Sequence, residues 1–171
     1  MQFQTQPAPR SVCLMVLLGL IVLFLPLGKG DAGEKITIGE VEEVVLLPWR
    51  VMLPARIDTG ADTSCLDARE LRVKNNMAEF KLPKQYGGLQ LRLPVREWQN
   101  IRSADFKEER PLVEITFCMG AKILHIKVNL NDRSTVKYPL ILGRNALKDN
   151  FIVDCGRSHC LPPSCPEDLS K

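Results

Sequence analysis

Residues 51–57 make an apolar approach (Val51, Met52, Leu53, Ile57) that ends abruptly in Asp58, Thr59 and Gly60, followed by Ala61, Asp62, Thr63 and Ser64. A carboxylate, a hydroxyl and a glycine at the end of a hydrophobic run predict a strand opening into a tight loop. The glycine admits a turn that a side chain would block. Such a loop presents Asp58 where its neighbours control water and charge. A second apolar run, residues 138–142, ends in Gly143, Arg144 and Asn145, then Ala146 and Leu147. Alone, Asp-Thr-Gly reads as an ordinary β-turn, because all three are common turn residues. The ordered pair of signals makes Asp58 a candidate functional group.

The rest of the chain is a series of short strand signals. Residues 36–51 mix apolar and acidic side chains irregularly and predict two short strands, with Pro48-Trp49 as a break. Residues 63–68 are expected to be extended, with Leu66 and Ala68 inward. A short helix over residues 67–71 competes, since Ala-Arg-Glu-Leu favours helix. Lys74-Asn75-Asn76 and Gly87-Gly88 mark turns. Leu89, Leu91, Leu93 and Val95 alternate with Gln90, Arg92 and Arg96, the pattern of a half-buried antiparallel strand. Residues 112–119 and 123–130 predict a hairpin around Gly120, and residues 98–110 read as a long polar connection. One short helix is expected, at residues 144–147 or a little beyond. Many short strands and no long periodic helix predict an all-β fold, a barrel or a sandwich.

A length of 171 residues suits one domain with a real core plus a tail. Net charge is +3, and falls to about +1 without residues 1–30, which hold Arg10 and Lys29. That balance gives no reason to expect nucleic acid as a partner. Residues 12–27 are an apolar run of about 16 residues after Arg10, shorter than a spanning helix needs. Gly28, Gly30 and Ala32 follow. Residues 1–32 therefore read as a signal peptide, cut after Gly30 or Ala32, or as a membrane anchor through residues 12–27. Under both readings the domain at residues 33–161 is exported, either periplasmic or anchored and facing the periplasm. Residues 162–171 form a tail containing proline and cysteine.

Six cysteines fit an oxidising compartment. Cys13 belongs to the export segment, which leaves Cys65, Cys118, Cys155, Cys160 and Cys165. An odd count leaves at least one unpaired or paired between chains. A disulfide among the last three is expected to pin the tail. Zinc held by those thiols with His159 or His125 is the sharper alternative, though the Cys-x2-Cys spacing of most structural zinc sites is absent. The chain has no His-Glu-x-x-His and no Gly-x-x-x-x-Gly-Lys-Ser/Thr loop, so neither a metal nor another cofactor is expected.

Asp58-Thr59-Gly60-Ala61-Asp62 and Ile141-Leu142-Gly143-Arg144-Asn145 together resemble the pepsin–retropepsin group. A closer resemblance, over residues 36–161, is to a bacterial family of small retropepsin-like domains. That family is often labelled ATP-dependent zinc protease and is associated with ATP-grasp ligases. Its pattern is Ala-x-Ile-Asp-Thr-Gly-Ala-x-Thr-Ser, then Glu-x-Arg-Pro before a strand, Leu-Gly-Arg-x-Ala-Leu, and Phe-x-Val-Asp. Here these fall at residues 55–64, 108–111, 142–147 and 151–154. Asp62 departs from the arginine usual in that family, and Cys65 from a small hydroxyl residue. Cys65 is read as a packed thiol, since no histidine neighbours it in the sequence.

The resemblance implies a small closed acid-protease β-barrel with one short C-terminal helix. It also implies an aspartic endopeptidase acting on a peptide or protein substrate. Two carboxylates sharing a proton can activate water and protonate the leaving nitrogen, because like charges about 3 Å apart cannot both ionise. One Asp-Thr-Gly is half of such a site. The resemblance therefore implies a homodimer in which Asp58 of each copy is catalytic. It further implies that Thr59 hydrogen-bonds across the interface beneath the pair and that Gly60 lets the loops approach. Asp62 would pair with Arg144, and Ala61 would complete the supporting loop. A substrate flap is expected in residues 98–110, with Trp98 and Phe106 lining the cleft; residues 86–88 are the alternative. Asp154-Cys155-Gly156 is read as a strand end and turn. The rival reading is a non-catalytic periplasmic peptide- or envelope-binding module on the same fold.

Overall fold

Wherever apolar residues alternate, the chain forms strand. The structure is a computed structural model that describes residues 34–102, 107–162, Gln2 and Cys165. The chain divides into Met1–Gly33 and Glu34–Lys171. The predicted leader lies outside the described residues apart from Gln2. Among the described residues no helix is long and apolar enough to cross a membrane.

The strands are β1 (Ile36–Ile38), β2 (Val41–Leu47), β3 (Val51–Ile57), β4 (Ser64–Asp67), β5 (Arg69–Lys74) and β6 (Met77–Lys81), then β7 (Gln90–Arg102), β8 (Lys107–Met119), β9 (Lys122–Asn131), β10 (Leu140–Leu142) and β11 (Phe151–Val153). One short helix, α1, spans Arg144–Leu147. Six strands close a barrel in the order β2-β3-β10-β4-β9-β8, and β8 pairs back to β2 through Val45–Cys118, Leu46–Phe117 and Leu47–Thr116. The expected all-β closed barrel with one short helix is what forms. Closure leaves no open sheet edge among these six strands. β7, β6 and β5 extend the sheet from the first half of β8, and β1 lies parallel to β11 as a separate pair.

Local chemistry explains most boundaries. Asn75 and Asn76 both have positive φ, 50° and 59°, as a two-residue hairpin turn requires, and they join β5 to β6. Leu53, Leu66, Val113, Phe117, Leu130, Leu140 and Leu142 of the barrel strands share one core with Phe80 of β6. One alternative and one expectation give way. Residues 67–71 form no helix: Asp67 ends β4 and Arg69 starts β5, because both strands find ladder partners. Residues 98–110 are no loop either. They are the paired arms of β7 and β8, matched from Val95–Val113 out to Arg102–Lys107. Polar and charged residues dominate both arms, a composition that the sequence alone cannot distinguish from a polar connection.

The C-terminal segment is strapped to β2 by a buried carboxylate. Glu42 is fully buried. Its Oε1 accepts from the N–H of Gly39 at 2.6 Å and of Cys160 at 3.0 Å, and its Oε2 accepts from Leu161 N–H at 3.0 Å. The tail disulfide expected among the last three cysteines is replaced by Cys118–Cys165, which ties the tail to β8. Cys155 and Cys160 are not disulfide-bonded. Asp154 and Gly156 form the expected turn, with Gly156 N–H donating to Asp154 Oδ1 at 2.9 Å.

Glu42→Ala leaves three N–H groups, one buried and two partly buried, without their acceptor. It is expected to lower unfolding stability by about 3 kcal/mol, against less than about 0.5 kcal/mol for the more exposed Glu43→Ala. Urea unfolding of both variants checks this, and equal midpoints contradict it.

Candidate active site

The Asp58 loop is built by two segments distant in sequence. β10 lies parallel to β3, with Leu142 opposite Ile57, and Asp58 N–H continues that ladder to Leu142 O at 3.0 Å. The chain then turns, and Asp58 Oδ1 accepts from Gly60 N–H at 3.0 Å and Ala61 N–H at 3.2 Å. The carboxylate thus folds its own loop and is half-buried at its base. Gly60 does not have a left-handed backbone. Its constraint is space, since a Cβ there would lie 3.2 Å from Asp58 Oδ1. Thr59 and Gly60 form an exposed tip.

The downstream segment clasps this loop. Arg144 N–H donates to Ala61 O at 2.8 Å and Asn145 N–H to Asp62 O at 3.1 Å. The Arg144 guanidinium donates to Thr59 O at 2.8 Å and Gly60 O at 2.9 Å, and it forms an ion pair with Asp62. Both side chains of that pair are exposed, so it is worth little by itself. The two carbonyl contacts give Arg144 its hold on the loop. Ser64, fully buried, donates through Oγ to Asn145 Oδ1 at 2.8 Å and accepts from Gly143 N–H at 3.0 Å. Neither Ser64 nor Asn145 carried an assigned role in the sequence, although both lie inside the two motifs.

A cleft of about 500 Å³ opens beside the loop, lined by Gly60–Thr63 and, across from them, Gln99, Asn100 and Ile101 of β7. Arg110, Asn129 and Arg133 complete its polar wall. Trp98, expected to line a flap, is about half exposed and faces away, because successive strand residues point to opposite faces. Phe106 lies outside the described residues. Gln99 makes the contact expected of a flap: its Nε2 donates to Thr63 Oγ1 at 3.0 Å. Arg110 stood in the Glu-x-Arg-Pro pattern, which was its available signal. Gln99, Asn129 and Arg133 had none, since a single polar residue in a strand looks like many others.

Cys65 is buried beneath this cleft, and burial pushes its thiol up against the opposing pull of Arg133 and Arg110. That is the behaviour of a packed thiol. Neither histidine lines the cleft. His125 Nδ1 lies 2.8 Å from Thr116 Oγ1 on the barrel face, and His159 stands 3.7 Å from Glu43. Among the described residues no three His, Cys, Asp or Glu side chains gather as metal ligands.

Residues 37–163 match the family model described as RimB-like, retropepsin-like aspartic endopeptidase RimB. Over 118 residues the chain is 29% identical to proteins named probable alpha-L-glutamate ligase from Shewanella pealeana and Shewanella halifaxensis. The match takes in 64% of this chain and only 26% of those proteins. A crystal structure of a Legionella pneumophila protein of unknown function superposes with a TM-score of 0.64 at 28% identity. It covers 74% of this chain and 98% of that one.

Gly143 tests the clasp. Its backbone is ordinary extended (φ −88°, ψ −176°), so alanine brings no conformational penalty. An added Cβ would, however, meet Ala61 O at 2.8 Å and Thr63 C at 2.9 Å, both backbone. Gly143→Ala is expected to cost about 2 kcal/mol of stability by overpacking. A urea-unfolding midpoint equal to wild type contradicts the crossing described here.

Proposed function

Since the chain belongs to the RimB-like family of retropepsin-like aspartic endopeptidases, we propose that it cuts peptide bonds with water activated by two Asp58 carboxylates, one from each of two copies. The observation that carries this reading is the loop itself. Asp58 is held through Oδ1 by its own backbone at the end of β3, beneath a tip of exposed Thr59 and Gly60. A lone carboxylate cannot be base and acid at once, and Asp62 is occupied by Arg144. A second copy docking on the exposed tip supplies the missing partner, with one carboxylate taking the water proton and the other, protonated, giving its proton to the leaving nitrogen. Partly exposed Val153 lies in the same surface hollow as Thr59 and offers apolar surface for that contact.

The cleft carries Arg110 and Arg133 beside the loop. Proteins sharing this stretch are named for ligating L-glutamate. Both features favour a peptide substrate bearing glutamate side chains, which guanidinium groups bind through paired hydrogen bonds. The Cys118–Cys165 disulfide favours an oxidising compartment, in keeping with export by residues 1–32.

The full chain incubated with a mixed pool of glutamate-rich peptides is expected to cut them, with or without a chelator. Asp58→Ala is expected to reduce cutting by about a hundredfold or more. Equal cutting by both proteins overturns the assignment of Asp58. Binding of the pool without cutting by either favours the non-catalytic module.

A further inference from the structure

Of the described residues that line the cleft, three are charged: Asp62, Arg110 and Arg133. Two of them are already balanced. Asp62 pairs with Arg144. Arg110 donates through both Nε and Nη2 to Glu108 Oε2, at 2.9 and 2.6 Å. Glu108 stands two residues earlier on β8, so the strand period puts the two side chains on one face. Arg133 forms no ion pair among the described residues. The carboxylate that holds its backbone is committed: buried Asp67 accepts from Arg69 Nη2 at 2.7 Å and from Arg133 N–H at 2.9 Å.

The Arg133 guanidinium is positioned without being used up. Its Nε donates to Tyr138 O at 3.2 Å, and the group lies against the Cys65 thiol, which also lines the cleft. The residue is partly exposed. Neither terminal nitrogen has an oxygen partner among the described residues. Neither is among the buried side-chain atoms left unpartnered there, which are Arg69 Nε and Asn129 Oδ1. Both therefore reach solvent. A guanidinium held at Nε presents Nη1 and Nη2 end-on, a fork that fits the two oxygens of one carboxylate. Ile141 shares the lining, and partial burial beside it makes a charge contact stronger than on open surface. We infer that Arg133 is the residue of the cleft that selects an anionic substrate, holding one carboxylate between Nη1 and Nη2, while the charge of Arg110 is met by Glu108. This rests on the peptidase reading and narrows its acidic preference from two arginines to one. An acidic side chain and a peptide C-terminus present the same two oxygens, so the chemistry is a carboxylate from either source.

The test uses binding, so that it does not depend on cleavage. The full chain carrying Asp58→Asn is immobilised and presented with three N-acetylated heptapeptide pools of random neutral residues. One carries a central glutamate and a C-terminal amide, one a central glutamine and the amide, and one a central glutamine and a free C-terminal carboxylate. Retention of the glutamate pool or of the free-carboxylate pool is expected to exceed that of the neutral pool by about tenfold, and which of them does so names the source. Adding Arg133→Gln is expected to bring the ratio to about one. Adding Arg133→Lys, which keeps the charge and gives up the fork, is expected to leave about threefold and covers the case in which Arg133→Gln does not fold. Adding Arg110→Met is expected to preserve the ratio. A ratio cancels any general loosening of the cleft, which lowers all three pools together. Equal retention of the three pools overturns the inference, as does a ratio that survives Arg133→Gln or is lost in Arg110→Met. The peptidase reading fails by a different result, cutting that survives Asp58→Ala.

Discussion

Two backbones cross at Gly143 so closely that a Cβ would strike Ala61 O and Thr63 C. That crossing fixes the rest of the site. With no side chain in the way, Arg144 N–H and Asn145 N–H reach the carbonyls of Ala61 and Asp62, while the Arg144 guanidinium reaches those of Thr59 and Gly60. The Asp58 loop therefore has most of its carbonyls tied down from outside and its carboxylate tied down from inside. The barrel holds both segments, since β3 and β10 are hydrogen-bonded neighbours and each is buried against the core. The loop is thereby preorganised, with its carboxylate held in one place by Gly60 and Ala61 N–H.

The same loop is supported from behind by the C-terminal strap. Arg157 O accepts from Glu40 N–H at 2.8 Å, and Glu40 O accepts from Ile57 N–H at 2.9 Å, one residue before Asp58. A Cβ at Gly39 would collide with Arg157 O, so the strap packs directly on the β1–β2 turn. Glu42 and the Cys118–Cys165 disulfide are two separate fastenings of that strap, one electrostatic and one covalent. The strap at residues 157–161 is thus part of the wall behind the site.

The barrel and the loop were legible because each has a strong local signature. Alternation at Leu89–Leu91–Leu93–Val95 and the paired asparagines at 75–76 leave few alternatives to strand and hairpin. Asp58 and Arg144 were legible as a pair because their motifs are specific and ordered. The hairpin over the cleft was not. Its residues 98–101 and 108–110 are mostly polar on both faces and carry no apolar alternation, so they read as a polar connection. Trp98 attracted notice as a large aromatic, but strand phase sends it outward and sends Gln99 in. Asn129 and Arg133 were invisible for a related reason: their meaning comes from neighbours on β4, β7 and β8 that only the folded barrel supplies. The disulfide partner of Cys165 was hidden likewise, because β8 comes next to the tail only after the barrel closes.

The central claim is that catalysis needs Asp58 from two copies of the chain. It is tested most directly by titrating a fixed amount of wild-type protein with increasing Asp58→Asn protein and following peptide cleavage after subunits exchange. Activity is expected to fall toward zero as mixed pairs, holding one carboxylate each, replace wild-type pairs. Activity that stays constant while mixed pairs form contradicts the shared site and makes each copy a complete enzyme.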